Sequence, residues 1–450
     1  MGTKRLSNFL EAADKYFEIG RRGSTFGTEA VGALTTFAAM SYILMVNPAI
    51  LSSTGMDRGA LVTVTALASL FGCAMMGLFA KMPIAQAPAM GTNTYFAVII
   101  CAGMGLTWEQ ALALTFYNGL VFLAISVSGV REKIIRAVPQ CLQVGLQCGI
   151  GMFIAFFGLQ HSGIVISNAN TLVGIGDFDS PESMLTLVGF ALMAVFVSRN
   201  FRGAIICVIL ALTAVSFFVT GSDGAPLAKL PESIVSVPHG ISETFLKLDW
   251  SYPFENARTA IPAIFTLLIL DLFDTIGTVV ALGRQSGLMG SDMRMPNMGK
   301  TLISDSCATI AGALLGTSTT GSYVESSAGI EAGARTGLSA VLVGVLFALA
   351  LFFTPIISAV PSFATAPALI MVGIMMMKGL KYLDASDMTQ LLPAVFCMMM
   401  VAFSFSITYG FAFGMLSYVL LETFNGRGRR ISPTAWIIFA SMTAFVAIKI

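Results

Sequence analysis

Three acids stand where acids are expensive. Asp271 and Asp274 belong to Asp271-Leu272-Phe273-Asp274-Thr275-Ile276-Gly277-Thr278, and Glu325 to Gly316-Thr317-Ser318-Thr319-Thr320-Gly321-Ser322-Tyr323-Val324-Glu325-Ser326. Apolar sequence flanks both stretches. A third stretch, Ala87-Pro88-Ala89-Met90-Gly91-Thr92-Asn93-Thr94-Tyr95-Phe96-Ala97, holds an amide between two hydroxyls. A carboxylate accepts from N–H groups, and an asparagine amide both donates and accepts, so the set suits a small ligand with a hydrogen-bonding edge. Acids inside a membrane are rare and by default mark ion pathways or proton relays. Desolvation favours the uncharged carboxyl, so a closed cavity can let such a group carry a proton near neutral pH. Residues three apart share a helix face, so Asp271 and Asp274 are expected to look the same way. An internal salt bridge would need an arginine reaching in from a loop, because no Lys, Arg or His lies near them within a predicted span.

Plainer readings stand beside these. Ser322-Tyr323-Val324-Glu325 fits a capping box, in which the acid reaches back to a free backbone N–H. Asn93 can cap a helix that restarts after Pro88 and Gly91, or touch a ligand. His161 and His239 fall in predicted outer loops and read as surface residues. Gly145-Leu146-Gln147-Cys148-Gly149 is a close-packing pattern. The 7 cysteines show no CxxC and read as reduced packing residues, without a metal site. There is no P-loop and no nucleophile–base–orienter set, so an enzyme is not expected and energy would come from an ion gradient.

The elements that position these groups follow from composition. The chain has 450 residues, 56% hydrophobic and 11% charged, with a mean hydropathy of +0.83. That describes an all-α polytopic membrane protein. The net charge of +1 gives no reason to expect nucleic acid as a partner. Apolar segments fall at roughly 29–51, 60–80, 84–100, 108–128, 139–159, 184–198 and 203–220. After a proline-containing interval they recur at roughly 260–282, 300–316, 322–332, 337–354, 364–378, 389–406 and 408–424. These 14 transmembrane segments form two sets of seven. An odd-numbered repeat ends on the opposite side of the membrane, so the second set is expected to be inverted. The third segment of each set is polar and interrupted, the pattern of broken half-helices meeting at a transporter's substrate site.

Charge agrees. With the N-terminus inside, only Arg58, Lys229, Lys247 and Arg258 of the 25 Lys and Arg residues fall on the outer side; Lys449 is unassigned and the other 20 fall inside. Lys4, Arg5, Glu11 and Asp14 precede any apolar run, so no cleavable signal peptide is expected. Trp436 to Ile448 is a further apolar run after the fourteenth segment.

At these stretches the chain resembles the nucleobase–cation symporter-2 superfamily, in its AzgA-type hypoxanthine/adenine/guanine permease branch. Gly333-Ala334-Arg335-Thr336-Gly337, Thr35-Thr36-Phe37 and Met40-Ser41-Tyr42-Ile43 extend the likeness over essentially the whole chain. The resemblance implies a uracil-permease-like fold, with short strands and half-helices in segments 3 and 10. It divides the chain into a cytoplasmic N-terminus (1–28), a core domain (29–128 and 260–354) and a gate domain (139–220 and 364–424). An extracytoplasmic loop (221–259) and a C-terminal segment with an extra apolar helix (425–450) complete it. Implied too are a multi-pass protein of the cell membrane with both ends of the 14-span unit cytoplasmic, and import of purine nucleobases by proton symport. The movement would be elevator-like, often in a homodimer, with no cofactor beyond the proton gradient.

Carried over by motif, Asn93, Asp271, Asp274 and Glu325 would contact or couple to the purine. The wider family's key acid stands directly before an x-Ile-Gly step, which points to Asp274, but the branch keeps an acid at the position of Asp271 as well. Both are assigned, together with Phe273 or Tyr323 as a stacking ring and Ser322 beside them; Asp271, Asp274 and Glu325 are the candidates for proton coupling. Two departures stand out: Thr92 and Thr94 flank Asn93 where the branch usually has Leu and Ala, and Gly321 sits where it usually has Thr. An anion carrier of the same fold is the alternative, but an anion wants helix N-termini or a basic residue, not three acids.

Overall fold

An apolar run continues as helix until a residue or a capping group stops it. The computed structural model describes residues 11–128, 138–168, 171–176, 178–201, 203–221, 226–231, 233–285, 297–404 and 406–449. Helix α1, Phe26–Met40, starts at Thr25, whose hydroxyl accepts from the Thr28 N–H. The ladder then tightens, with Leu44 N–H bonding Ser41 O and Met45 N–H bonding Tyr42 O, before α2, Ile43–Leu51, which contains Pro48. One expected segment, 29–51, is thus two helices with Tyr42 at the joint. Helix α3, Arg58–Ala74, is capped by Asp57, which accepts from the Ala60 N–H at 2.7 Å, and widens into π-type turns over Met75–Ala80.

A strand follows where the third segment was expected to break: β1, Gln86–Pro88, then the short α4, Met90–Thr94, and π-type turns over Tyr95–Gly103. Helices α5, Trp108–Ser128, and α6, Gln140–His161, come next. Residues read as loop then form an antiparallel hairpin, β2, Val165–Asn168, with β3, Leu172–Ile175. Helices α7, Pro181–Ser198, and α8, Ala204–Ser216, complete the first half.

The second half opens with the short α9, Tyr252–Glu255, and the long α10, Ala257–Gln285. Helix α11, Met298–Leu315, ends at Gly316, whose φ of 108° is a left-handed stop. Then come β4, Thr320–Ser322, and α12, Ser326–Glu331, followed by α13, Gly337–Ala350, α14, Thr354–Ser358, and α15, Ser362–Met376. Helices α16, Met388–Ser404, α17, Ile407–Phe424, and α18, Pro433–Lys449, end the chain. The last packs on α17.

Among the described residues, seven helices are long and apolar enough to cross a membrane, so this is an integral membrane protein. They are Phe26–Thr54, Arg58–Ala80, Trp108–Ser128, Gln140–His161, Pro181–Ser198, Gly337–Ser358 and Ser362–Tyr382. Met90–Gly103, Ala204–Ser216, Met388–Ser404 and Tyr409–Phe424 are apolar but shorter.

Two groups of helices pack among themselves. In one, α15 and α16 lie on α6, and α17 on α16; in the other, α10 and α11 lie on α5, α13 on α3, and α12 on α1. Glycine lets backbones touch in the first group: a Cβ on Gly145 would fall 2.5 Å from the Ala394 carbonyl oxygen, and one on Gly151 2.5 Å from that of Gly373. The Gly145–Gly149 pattern is therefore packing within the chain. In the second group lies the feature that positions the site. Strand β1 pairs antiparallel with β4, Gln86 opposite Ser322, Ala87 opposite Gly321 and Pro88 opposite Thr320.

Candidate functional site

The β1–β4 pair is tied across its ends. Ala89 N–H donates to Thr319 O at 2.9 Å and Tyr323 N–H to Ala85 O at 3.0 Å. The Tyr323 hydroxyl reaches Pro88 O at 2.6 Å, and the Ser326 hydroxyl accepts from Ala85 N–H at 3.0 Å. Two stretches more than two hundred residues apart thus become one rigid crossing, with a short helix leaving each strand.

Asn93, on α4, is fully buried. Its Oδ1 accepts from the Ser318 hydroxyl, while its Nδ2 is enclosed without a partner. Thr92 donates to Ala89 O at 2.9 Å and accepts from Thr319. The Thr92 hydroxyl therefore belongs to the crossing itself, while that of Thr94 donates back to Met90 O within α4 at 3.0 Å.

Helix α10 brings its two acids to different surroundings. Asp271 is 2% exposed, and its Oδ2 is approached by Asn118 Nδ2 of α5 at 3.3 Å and the Thr309 hydroxyl of α11 at 3.2 Å. Thr309 also lies 3.1 Å from Thr320 O, and its single proton serves one acceptor at a time. Asp274 is exposed; no described residue donates a hydrogen bond to it. The two acids look toward the same side of α10, both within electrostatic reach of Asp305, and differ in exposure. Residues three apart are separated by about 60° around a helix, and at this packed surface that turns one inward and leaves the other open. Phe273 lies between them, its side chain outside the described residues.

Glu325 precedes α12 and is half-buried. Its Oε1 accepts from the Tyr42 hydroxyl at the α1–α2 joint, at 2.7 Å. The capping-box reading is corrected, because Ser322 lies in strand β4 and its hydroxyl donates to Asp305 Oδ1 at 3.0 Å, while Glu325 makes no cap hydrogen bond. Tyr323 is 6% exposed, with its hydroxyl engaged at Pro88.

Asp305, in the expected segment 300–316, escaped the sequence reading. It is fully buried on α11. Oδ1 accepts from Gln86 Nε2 at 2.8 Å as well as from Ser322, and Oδ2 from the Thr275 hydroxyl at 2.5 Å. One carboxyl therefore joins β1, β4, α10 and α11. An acid inside an apolar segment was the signal that could have found it. N–H and O–H donors pointing at its oxygens suit a carboxyl and repel a cation.

Asp274 stands within electrostatic reach of Asp305 and Glu325, and Asp271 of Asp305 and Asp274. No ion pair to Asp271, Asp274 or Glu325 forms among the described residues. Two carboxyls are sealed behind the crossing and two face space that solvent can enter. Such an arrangement can accept N–H donors from a ligand and hold protons, and it offers no charge to attract an anion.

A sequence model of the group described as Permease family matches residues 27–416. Guanine/hypoxanthine permease PbuG of Bacillus subtilis (strain 168) is 39% identical over 433 residues, 94% of this chain and 97% of that protein. Adenine permease AdeP of Escherichia coli (strain K12) is 37% identical over 426 residues, 94% of each chain. Among solved structures, the transmembrane domain of the cyanobacterial bicarbonate transporter BicA superposes with a TM-score of 0.64 at 14% identity, over 87% of this chain and 97% of that one. That likeness is one of fold.

Proposed function

The chain belongs to the Permease family of nucleobase–cation symporter-2 transporters, and from that premise we propose that it imports a purine nucleobase (adenine, guanine or hypoxanthine) by proton symport. The observation that carries this reading is the acid pair Asp274 and Glu325 beside the β1–β4 crossing, with no basic partner among the described residues. A purine presents ring N–H donors and ring acceptors in one plane. Asp274 and Glu325 accept from the donors, and Tyr42 holds the Glu325 carboxyl in place. Asn93 and Ser322 fix the strands that border the base, and Phe273 or Tyr323 supplies an aromatic face.

The difference in burial supports a division of the roles that sequence left undivided. Asp274 is the ligand-facing acid of α10, and Asp271 is the acid that loads the coupling proton. The Asn118 amide supports that assignment. It donates to Asp271 through Nδ2 while its Oδ1 is enclosed without a partner, so an amide flip would let it accept from a protonated carboxyl.

In this reading the two packed groups of helices are the core and gate domains of a 14-span inverted repeat. The core, carrying the crossing, moves against the gate in an elevator step, the protein works in the cell membrane as a homodimer, and the ends of the 14-span unit lie in the cytoplasm. The test is radiolabelled uptake in cells lacking purine transport, with adenine, guanine, hypoxanthine, xanthine, uracil and sulfate, each with and without a protonophore. Uptake of at least one of the three named purines, abolished by the protonophore, is expected. Sulfate uptake without purine uptake would overturn the reading in favour of an anion carrier.

A further inference from the structure

Strand β4 passes Asp271 at a residue that has no side chain. A Cβ on Gly321 would meet the Ala89 Cβ at 3.7 Å and then Asp271 Oδ1 and Thr275 Oγ1, both at 3.9 Å. These are ordinary contact distances. Gly321 is also absent from the positive-φ positions, so neither space nor backbone conformation requires glycine here.

The carboxyl on the other side is lopsided. Both donors to Asp271, from Asn118 and Thr309, converge on Oδ2. Oδ1, the oxygen nearer Gly321, accepts from no described residue. Of the polar side chains around this place, Thr275 and Ser322 donate to Asp305 and Thr309 is shared with Thr320 O, while the buried Thr320 hydroxyl has no partner and none of these donates to Oδ1. The charged groups facing Asp271 are Asp305 from α11 and Asp274 on its own helix; Asn118 of α5 and Thr309 are neutral, and Glu325 faces Asp274. Among the described residues no donor reaches Oδ1, and Gly321, which passes it, carries no side chain to supply one.

We propose that Gly321 is a coupling determinant: by presenting no donor to Asp271 Oδ1, it leaves that oxygen free to bind the transported proton and give it up again. The proton arrives from the medium and forms the O–H bond at Oδ1; the same bond breaks when the proton leaves to the other side, so nothing is oxidised or reduced. This rests on the assignment of Asp271 as the proton-loading acid. A hydroxyl introduced at position 321 would donate to Oδ1 and stabilise the ionised carboxylate, so a more acidic medium would be needed to load it.

The test is accumulation of radiolabelled purine by proteoliposomes against external pH, each variant normalised to its own maximum, for wild type, Gly321→Ala, Gly321→Ser, Gly321→Thr and Asp271→Asn. Purine counterflow at fixed pH serves as the integrity measure. The two hydroxyl variants are expected to move the half-maximal pH downward by about one unit, while Gly321→Ala, which fills the same space without a donor, stays near the wild-type midpoint. Asp271→Asn is expected to lose the pH dependence altogether. Wild-type midpoints in Gly321→Ser and Gly321→Thr, with Asp271→Asn defective, would overturn the role of Gly321 alone. A shift in Gly321→Ala equal to that in Gly321→Ser would assign the effect to volume and also overturn it. An Asp271→Asn protein that accumulates purine with the wild-type profile would overturn the assignment of Asp271 itself.

Discussion

Acids inside this protein divide by what holds them. Glu29, fully buried at the start of α1, accepts from the backbone N–H of Arg335 at 2.9 Å and of Thr336 at 3.4 Å. It therefore ties down the turn that leads into α13, whose cap is Thr336, and is a structural acid. Asp305 is also enclosed, but Gln86, Ser322 and Thr275 donate to it as side chains on different elements. Asp305→Ala should strand those donors and cost about 1–3 kcal/mol, whereas Asp305→Asn keeps an acceptor for Gln86 and Ser322. A melting measurement on the detergent-solubilised protein should therefore show Asp305→Ala clearly below Asp305→Asn; equal melting temperatures would remove Asp305 from its place as a tie. Glu325 differs again, half-buried with one hydroxyl on it. Glu325→Gln is expected to reduce proton-driven purine uptake about 10- to 100-fold at normal expression, the cost of losing a charged acceptor, and Tyr42→Phe by less. Wild-type uptake by Glu325→Gln would end the assignment.

The rule that buried acids are costly made Asp271, Asp274 and Glu325 legible in the sequence. Applied evenly it would have reached Asp305 too, in the run Ile303-Ser304-Asp305-Ser306, which lacks the glycines and prolines that drew attention elsewhere. What spacing could not tell was burial. The i, i+3 rule places Asp271 and Asp274 near one face, yet whether each is buried depends on α5 and α11, which lie far along the chain.

At the scale of elements, the crossing was readable and its partners were not. Pro88 and Gly91 announced a break, and the strand and short helix are there. The pairing of Ala87 with Gly321 is a long-range fact that no local pattern encodes. The same limit explains Ser322: a serine three residues before an acid looks like a cap only if a helix begins there, and Ser322 instead ends strand β4. Gly316 is the turn by which α11 leads into this element. Its φ is 108°, and a Cβ would meet the Thr244 side chain, with Thr244 Oγ1 at 2.9 Å. Gly55 has a similar φ of 94° but open space around it. Both Gly→Ala changes strain the backbone, and Gly316→Ala adds a steric clash, so its cost is expected at about 1–3 kcal/mol, exceeding that of Gly55→Ala. Thermal unfolding of the two variants checks the order, and a Gly55→Ala protein at least as destabilised as Gly316→Ala would contradict it.

For the whole molecule, the hydropathy pattern and the distribution of Lys and Arg carried most of the information. Membrane character follows from composition, and the grouping of helices from sequence order and glycine contacts. The joint within 29–51 and the hairpin at 165–175 were missed because apolar composition persists through the first, and four-residue strands leave little pattern in the second. The proposed orientation predicts that a cysteine placed at Leu230, exposed in the 221–259 interval, reacts with a membrane-impermeant thiol reagent in intact cells. One at Lys381, exposed after α15, should react only after permeabilisation. These belong in a background without the 7 native cysteines, and labelling of position 381 from outside would invert the topology.

The central claim is that acids without a basic partner bind a purine and carry its proton. Purified protein in proteoliposomes enclosing a pH-sensitive dye measures both at once: with adenine, guanine or hypoxanthine added outside, the lumen should acidify as labelled purine enters, and Asp271→Asn should abolish the acidification. Purine entry with no change in internal pH would contradict the account.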